Sequence, residues 1–186
     1  MSLAIAILAA GGATRFGGGK LDADLAGKAL GRWALDAALA VPHERLAVVL
    51  GEKAPDFATG CELLVNDRAT EGIGTSAAMA AQWAEGSDAL LIMLADMPLV
   101  SPETLEKLVA AEGPAAVAYP GNKPGAPACF PAKLFPSLED LTGDSGAAQV
   151  LRGLANVTLV NAPAEELRDV DRPEDLADVA EILRAR

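Results

Sequence analysis

A glycine-rich segment near the start of the chain carries two cations that could do chemistry. Arg15 and Lys20 lie on either side of Gly17–Gly19, shortly after an apolar run over residues 3–9. Small residues let a phosphate approach the backbone, and successive N–H groups can point at an anion. The guanidinium offers a planar fork to phosphate oxygens, and the ammonium offers a point charge. These residue types in this order predict a triphosphate site.

Two familiar phosphate-binding loops do not fit the spacing of this segment. A P-loop needs a glycine, four further residues and then Gly-Lys, but Thr14 stands where the first glycine belongs. A dinucleotide fingerprint needs G-x-G-x-x-G, and reading it from Gly17 puts Asp22 in place of the third glycine. The alternative without a ligand is a mobile glycine turn whose charged side chains are solvated.

Two carboxylates end or follow apolar segments further along the chain. Asp96 follows the strongest apolar run, residues 89–95, so we expect it at the carboxyl edge of a sheet, the same edge as the glycine loop. Mg²⁺ takes one or two carboxylates together with phosphate oxygens. Asp171 is the candidate second carboxylate, with Asp169 ranked behind it. The alternatives are a helix cap or solvated aspartate for Asp96 and a helix N-cap for Asp171.

Two hydroxyl residues stand before an alanine-rich segment. Thr75 and Ser76 come directly after Gly72 and Gly74. Hydroxyls and amides at a helix N-terminus suit a base edge, a ribose or a phosphate. Plain N-capping is the alternative, and one residue can do both.

The elements that must position these residues alternate between strands and helices. Strands are predicted over residues 3–9, 46–50, 62–65, 89–94, 115–118 and 157–160, and helices over 30–40, 76–84, 102–111, 145–154 and 173–186. Continuous apolar strands between amphipathic helices indicate a mostly parallel sheet covered on both faces. Residues 119–136 hold five prolines and two glycines, and we expect a long loop over the substrate side there. We expect one domain over residues 1–186.

Composition excludes several classes of protein. The 186 residues carry 15 Lys+Arg against 26 Asp+Glu, a net charge of −11, which does not attract nucleic acid or an anionic membrane. A hydrophobic content of 51% excludes disorder, and 4% aromatic residues disfavour a stacking-based nucleic-acid binder. Two cysteines without CxxC spacing favour neither zinc nor a disulfide scaffold and suggest the cytoplasm. No apolar run reaches the ~20 residues of a membrane span.

The glycine segment resembles a known signature. Its Leu-Ala-Ala-Gly-x-x-x-Arg-Phe-Gly-x-x-Lys pattern, from Leu8 to Lys20, is similar to the first loop of the MobA-like nucleotidyltransferases. Within that family it most resembles the molybdenum cofactor cytidylyltransferases, because guanylyl relatives usually have Leu-Ala-Gly-Gly at the start of this loop. Further segments resemble the family's motifs in the family's order: Asn66 with residues 71–76, 95–98, 142–147 and 169–176.

The resemblance implies a fold, a reaction and a set of site residues. The fold would be a single-domain, Rossmann-like three-layer α/β sandwich of the nucleotide-diphospho-sugar transferase type. The reaction would be Mg²⁺-dependent transfer of a nucleoside monophosphate, from CTP first, to the phosphate of molybdopterin. Arg15 and Lys20 would be catalytic, and Asp96 and Asp171 would hold the metal. The implied nucleotide-binding residues are Leu8, Ala9, Ala10, Gly11, Gly12, Thr75 and Ser76.

Several alternatives remain open at this point. Guanylyl transfer to molybdopterin comes second, and nucleotidyl transfer to a sugar phosphate or methylerythritol phosphate third. Ala126 stands where the family often has histidine, which keeps open a non-catalytic nucleotide sensor or a chaperone for molybdoenzyme maturation. A molybdoenzyme or its chaperone is a candidate partner. The glycine spacing argues against the remaining competitor, a Rossmann-type oxidoreductase.

Overall fold

The apolar runs of the sequence form a seven-stranded sheet in the computed structural model, which describes residues 1–11 and 16–185. In chain order the strands are β1 (Leu3–Leu8), β2 (Asp24–Leu25), β3 (Lys28–Ala29), β4 (Arg45–Leu50), β5 (Glu62–Val65), β6 (Ala89–Leu94), β7 (Ala115–Tyr119), β8 (Lys123–Pro131) and β9 (Thr158–Val160). The main sheet has the order β5-β4-β1-β6-β8-β7-β9, and β2 pairs with β3 in a separate hairpin. Within the main sheet, only β8 runs antiparallel to its neighbours. The predicted mostly parallel α/β fold is confirmed.

Helices cover both faces of this sheet. They are α1 (Leu30–Ala40), α2 (Ile73–Trp83), α3 (Pro102–Val109), α4 (Phe135–Glu139), α5 (Ala148–Arg152) and α6 (Asp175–Ala185). Ser101 caps α3, because its side chain accepts a hydrogen bond from the Thr104 N–H at 3.2 Å. Helix α2 begins three residues earlier than predicted, directly after Gly72, and α5 is shorter than its predicted range. None of the helices in the described ranges combines the length and hydropathy that a bilayer-spanning segment requires.

The two faces of β1 carry side chains of different size. Leu3, Ile5 and Ile7 point to the layer that holds α1 and α3. Ala4 and Ala6 point to the opposite layer, where they pack against the alanines of α2. Small side chains on both partners let a helix lie close to the sheet in this layer.

The segment over residues 119–136 corrects the prediction of a long loop. It contains β8, which lies inside the sheet between β6 and β7. Proline cannot donate to a sheet ladder and is therefore rare in inner strands. Here Pro124 lies beyond the end of the pairing with β6, and Pro127 lies at a bulge where the register with β7 shifts. The prolines occupy positions where ladder hydrogen bonds are missing, which explains how the strand tolerates them.

Candidate active site

A cleft opens at the edge of the sheet where β1 and β6 end. The register pairs Leu8 with Leu94 at the carboxyl ends of these parallel strands, and the Ala95 N–H donates to the Leu8 carbonyl at 3.0 Å. The sheet order reverses at β1, and ligands of open α/β sheets bind at such a point. The cleft has a volume of about 340 Å³ and is lined by Leu8, Ala10, Gly11, Ala69, Thr70, Gly72, Ile73, Ser76, Leu94, Asp96 and Asp144.

A buried lysine joins two carboxylates beside this cleft. Lys20 Nζ lies 2.8 Å from Asp96 Oδ2 and 3.5 Å from Asp171 Oδ1. Lys20 is only 8% exposed, whereas the side chain of Asp171 is 45% exposed. Gly19 precedes the lysine with a left-handed backbone (φ 63°), and a 3-10 turn over Lys20–Asp22 follows. We call Lys20, Asp96 and Asp171 the ionic cluster.

The carboxyl-terminal segment is fastened to the exit of β6. The Val170 N–H donates to the Asp96 carbonyl at 2.9 Å, which brings Asp171 beside Asp96. The Asp175 carboxylate accepts hydrogen bonds from the backbone N–H groups of Asp171 at 2.9 Å and Arg172 at 2.8 Å. Helix α6 begins at Asp175, and the side chain that accepts hydrogen bonds from the amides before it is that of Asp175, not that of Asp171. The alternative interpretation of Asp171 as the N-cap of this helix is therefore not what the structure shows.

A further carboxylate, Asp169, interacts with the charges of the ionic cluster. Burial raises the pKa of Asp169 above its ordinary value, and the nearby charges of Asp171 and Asp96 raise it further, while Lys20 and a backbone hydrogen bond oppose the shift. Burial also raises the pKa of Tyr119, with smaller contributions from Asp169 and Asp96. In both groups burial is the larger cause of the raised pKa, and the charges of the neighbouring carboxylates act in the same direction.

The donor set of the cluster fits a hard divalent cation. One ammonium contacts Asp96 and Asp171 together, which demonstrates that the two carboxylates can share a single cation. Within residues 1–11 and 16–185, no group of three or more His, Cys, Asp or Glu side chains could hold a metal. Two carboxylates completed by phosphate oxygens or water are the usual ligands of Mg²⁺. Asp96 and Asp171 are therefore the residues that could hold it.

A second polar cluster lies at the same edge but is neutral and buried. Asn66 Nδ2 donates to Thr75 Oγ1 and to Ser76 Oγ, each at 2.9 Å, and Asn66 Oδ1 accepts from the Arg68 N–H at 3.0 Å. Thr75 Oγ1 also lies 2.9 Å from the Gly72 carbonyl oxygen, to which it can donate. Asn66, Thr75 and Ser76 are 2%, 5% and 2% exposed. We call these three residues the neutral cluster.

Glycines allow two motif segments to meet backbone to backbone. The Gly74 N–H donates to the Gly143 carbonyl at 2.9 Å. A Cβ on Gly74 would come within 2.8 Å of the Thr142 carbonyl oxygen, and one on Gly72 would overlap the Gly143 carbonyl. Gly72 also has φ +125°, which L side chains rarely adopt. The close approach places Asp144 in the wall of the cleft.

Comparison of the sequence with known protein families and proteins identifies the family of this chain. The model of the MobA-like NTP transferase domain matches residues 5–160. The chain belongs to the MobA-like NTP transferase family. This MobA-like domain is 33% identical to the purine catabolism protein PucB of Bacillus subtilis (strain 168), over 90% of this chain and 91% of that protein.

Solved structures share the fold of this MobA-like domain. A nucleotidyl transferase from Methanothermobacter superposes with a TM-score of 0.85 at 21% identity, covering 100% of this chain and 99% of that chain. Rv0371C of Mycobacterium tuberculosis H37Rv, in complex with manganese, superposes with a TM-score of 0.74 at 23% identity, covering 97% and 99%. The predicted family is confirmed, and the chain is a nucleotidyltransferase of the MobA-like type.

The structure brings most of the predicted site residues of this MobA-like domain together. Leu8, Ala10, Gly11, Ser76 and Asp96 line the cleft. Ala9 and Lys20 line a smaller cavity of about 60 Å³ that shares residues with it. Thr75 is buried next to Ser76, and Asp171 forms an ion pair with Lys20. Arg15 and Gly12 lie outside the described residues, so their roles stay predictions.

Sequence reasoning missed several residues at the site. They are Thr70, Ile73, Leu94 and Asp144 in the cleft, Asn66 in the neutral cluster, and Tyr119 beside Asp169. Asn66 and Asp144 stand inside segments that resemble family motifs, which was the available signal for them. Tyr119 ends β7 without any motif that marks it.

Ala126 lies in a small apolar pocket that adjoins the cleft. The pocket has a volume of about 180 Å³ and shares Leu8, Ile73 and Leu94 with the cleft. Its other lining residues are Ile92, Ala126, Ala128, Gly146, Ala147 and Ala148, so no charged side chain lies among the described residues of the wall. The Tyr119 hydroxyl donates to the Ala126 carbonyl at 3.1 Å, which fixes the backbone at this end of β8.

Proposed function

We propose that this MobA-like nucleotidyltransferase transfers CMP from CTP to the terminal phosphate of molybdopterin and releases pyrophosphate. The observation that supports this most is the ionic cluster, where Lys20 sits between Asp96 and Asp171 at the edge of the cleft. A lysine and two carboxylates beside a loop of small residues are the groups that a metal-bound triphosphate requires. In the cell we expect this reaction in the cytoplasm.

In this reaction the protein must position the substrates and neutralise their charge, and it need not transfer a proton. A phosphate nucleophile is already ionised, so no strong general base is needed. The Lys20 ammonium would neutralise triphosphate oxygens, and Arg15 would add a planar fork to them. Asp96 and Asp171 would hold Mg²⁺, which when bound neutralises phosphate oxygens and supports in-line geometry. The manganese complex of the related fold supports use of a divalent metal by this type of domain.

The choice of CTP and of molybdopterin is the finer part of the proposal. CTP is preferred because Leu8-Ala9-Ala10-Gly11 resembles the cytidylyl branch of the family, and GTP is the second candidate. Leu8, Ala10 and Gly11 line the cleft, where their small or apolar side chains leave backbone groups open to a base. The pocket at Ala126 would take an uncharged part of the acceptor.

A non-catalytic nucleotide-binding chaperone is the second candidate. Ala126 favours it, because the described residues of the pocket wall include no polar side chain that could position a reacting acceptor phosphate. The two candidates differ in turnover. A chaperone would bind nucleotide and release no pyrophosphate, whereas a transferase releases pyrophosphate only when the acceptor is present.

The test begins with thermal unfolding in the presence of CTP, GTP, ATP or NAD, each with and without Mg²⁺. A ligand at about 100 times its Kd adds about 2.7 kcal/mol, which for a chain of this size raises the Tm by roughly 5–10 °C. We expect this shift for CTP with Mg²⁺. Pyrophosphate release is then measured with molybdopterin, and the product is identified by mass.

Three outcomes would change the proposal. Binding of Mg²⁺–CTP without pyrophosphate release would favour the chaperone. A guanylyl product would replace CTP by GTP. Near-normal pyrophosphate release by Lys20→Ala would show that the site has been assigned wrongly. The exposed Lys133, changed to Ala, controls for the loss of one positive charge.

A further inference from the structure

The ammonium of Lys20 occupies the place between two carboxylates that the proposed function gives to a metal. It contacts Asp96 Oδ2 at 2.8 Å and Asp171 Oδ1 at 3.5 Å. We propose that Lys20 is an internal counter-ion that keeps divalent cations off these carboxylates until a triphosphate arrives. Metal and nucleotide then bind together and not one after the other. This inference rests on the proposed function, since it concerns the same site.

Burial makes the ion pair hard to break without a new partner for the lysine. Lys20 is only 8% exposed. If its ammonium separated from Asp96 and stayed in this buried position, the charge would lack both a partner and water. An unpaired buried charge is strongly unfavourable, whereas an exposed ion pair contributes little to stability. The Ala23 N–H donates to the Lys20 carbonyl at 3.2 Å, which holds the backbone of the turn in place.

The charge count explains why a metal alone is a poor competitor. Within the part of the chain that the structure describes, Lys20 brings one positive charge to the two negative carboxylates. A divalent ion that entered with Lys20 in place would lie against the ammonium, and like charges at contact repel strongly in a partly buried site. The groups that face the cluster, Asp169 and Tyr119, bring no second cation from the described residues.

A triphosphate removes this conflict. Its oxygens offer the ammonium a new anionic partner and at the same time supply ligands to the metal. Loss of the lysine–carboxylate contacts is then offset by lysine–phosphate and metal–carboxylate contacts. Because binding free energies are linked, the nucleotide must raise metal affinity by the same factor as the metal raises nucleotide affinity.

The test measures Mn²⁺ binding by electron paramagnetic resonance, with and without α,β-methylene CTP, which binds without reacting. Without nucleotide, Lys20→Met is expected to bind Mn²⁺ at least about tenfold more tightly than the wild type, because Asp96 loses the ammonium that occupies it. The Lys133→Met control removes an exposed charge and is expected to leave Mn²⁺ affinity unchanged. Equal affinity of Lys20→Met and wild type, or no Mn²⁺ binding by Lys20→Met, would overturn the proposal.

A second comparison keeps the test valid if Lys20→Met fails to fold. Without nucleotide, wild type and Asp96→Asn are expected to bind Mn²⁺ equally weakly, since Asp96 is occupied by Lys20 in the wild type. With the CTP analogue, the wild type is expected to bind Mn²⁺ more tightly than Asp96→Asn, after correction for Mn²⁺ held by the analogue in solution. Tighter binding by the nucleotide-free wild type would overturn the counter-ion role. Failure of the transferase proposal is seen separately, as absence of pyrophosphate release.

Discussion

Two polar clusters lie at the same edge of the sheet and differ in their charge and in their exposure to solvent. In the neutral cluster, one Asn66 amide group bonds both Thr75 and Ser76, and all three side chains are buried. In the ionic cluster, one ammonium serves two carboxylates, and Asp171 remains 45% exposed on its side chain. The first arrangement has its hydrogen-bond partners within the protein, whereas the second sets one ammonium against two carboxylates among the residues that the structure describes.

This difference separates a structural role from a chemical one. Buried polar groups with complete hydrogen bonding rigidify the backbone around them, and here that backbone leads from β5 to the start of α2. A charged group with an exposed side, such as Asp171, can exchange a protein partner for a ligand. The neutral cluster is therefore expected to shape the cleft, and the ionic cluster to bind and turn over the nucleotide.

Asp96→Asn is expected to give the largest effect and would separate the clusters most clearly. The change keeps the size of the side chain and removes the charge that would hold Mg²⁺, so kcat should fall by about 10³-fold. Removal of metal with EDTA should lower the wild-type rate to the same level. The measurement is pyrophosphate release at saturating CTP and acceptor, and Asp140→Asn, on an exposed residue, is the control. A rate within tenfold of wild type would count against the metal role.

Lys20→Met should follow, with a fall in kcat of about 10²-fold, because one positive charge on the transferring phosphates is lost. The fall should appear in kcat more than in KM if the contact strengthens in the transition state. Steady-state kinetics against CTP measures the split, with Lys133→Met as the matched control. A change confined to KM would limit Lys20 to ground-state binding.

Gly72→Ala tests whether the backbone contact between the motif segments matters. The new Cβ would overlap the Gly143 carbonyl at a position with φ +125°, so the unfolding free energy should fall by about 2–3 kcal/mol. For a chain of this length that lowers the Tm by roughly 4–12 °C. Thermal unfolding measures it. Gly153→Ala, where a Cβ meets nothing within 4 Å, should leave the Tm unchanged.

Asn66→Ala should give the smallest effect on chemistry. It leaves Thr75, Ser76 and the Arg68 N–H without their shared partner, which should cost about 2 kcal/mol of stability. Because no charge in the ionic cluster changes, kcat should stay within about threefold, and the looser cleft wall should raise KM for CTP by about threefold at most. Thermal unfolding and steady-state kinetics check both parts. A fall in kcat as large as that of Asp96→Asn would erase the distinction between the clusters.

The sequence predicted those elements whose signal is local. β1 and β6 are continuous apolar runs, so their position and their parallel pairing followed from the pattern. β8 was missed because Pro124, Pro127 and Pro131 argue against an inner strand, and only the end of β6 and the bulge of β8 against β7 make them acceptable. Those features depend on neighbouring strands, which a single segment of sequence does not contain.

The same limit applies to the candidate site. Lys20, Asp96 and Asp171 could each be named from local chemistry and from resemblance. Their ion pairing could not, because the partners are 76 and 151 residues apart along the chain. The role of Asn66 was missed for the same reason. The hydrogen bonds of its side-chain amide form only once β5 and α2 have packed together.

The central claim is that the ionic cluster holds the metal–nucleotide complex, whereas the hydrogen bonds of Asn66 shape the cleft wall. Isothermal titration of Mg²⁺–CTP into wild type, Asp96→Asn and Asn66→Ala tests it most directly. We expect Asp96→Asn to bind at least about tenfold more weakly than wild type, a loss of about 1.4 kcal/mol or more, and Asn66→Ala to stay within about threefold. Wild-type affinity in Asp96→Asn would contradict the claim.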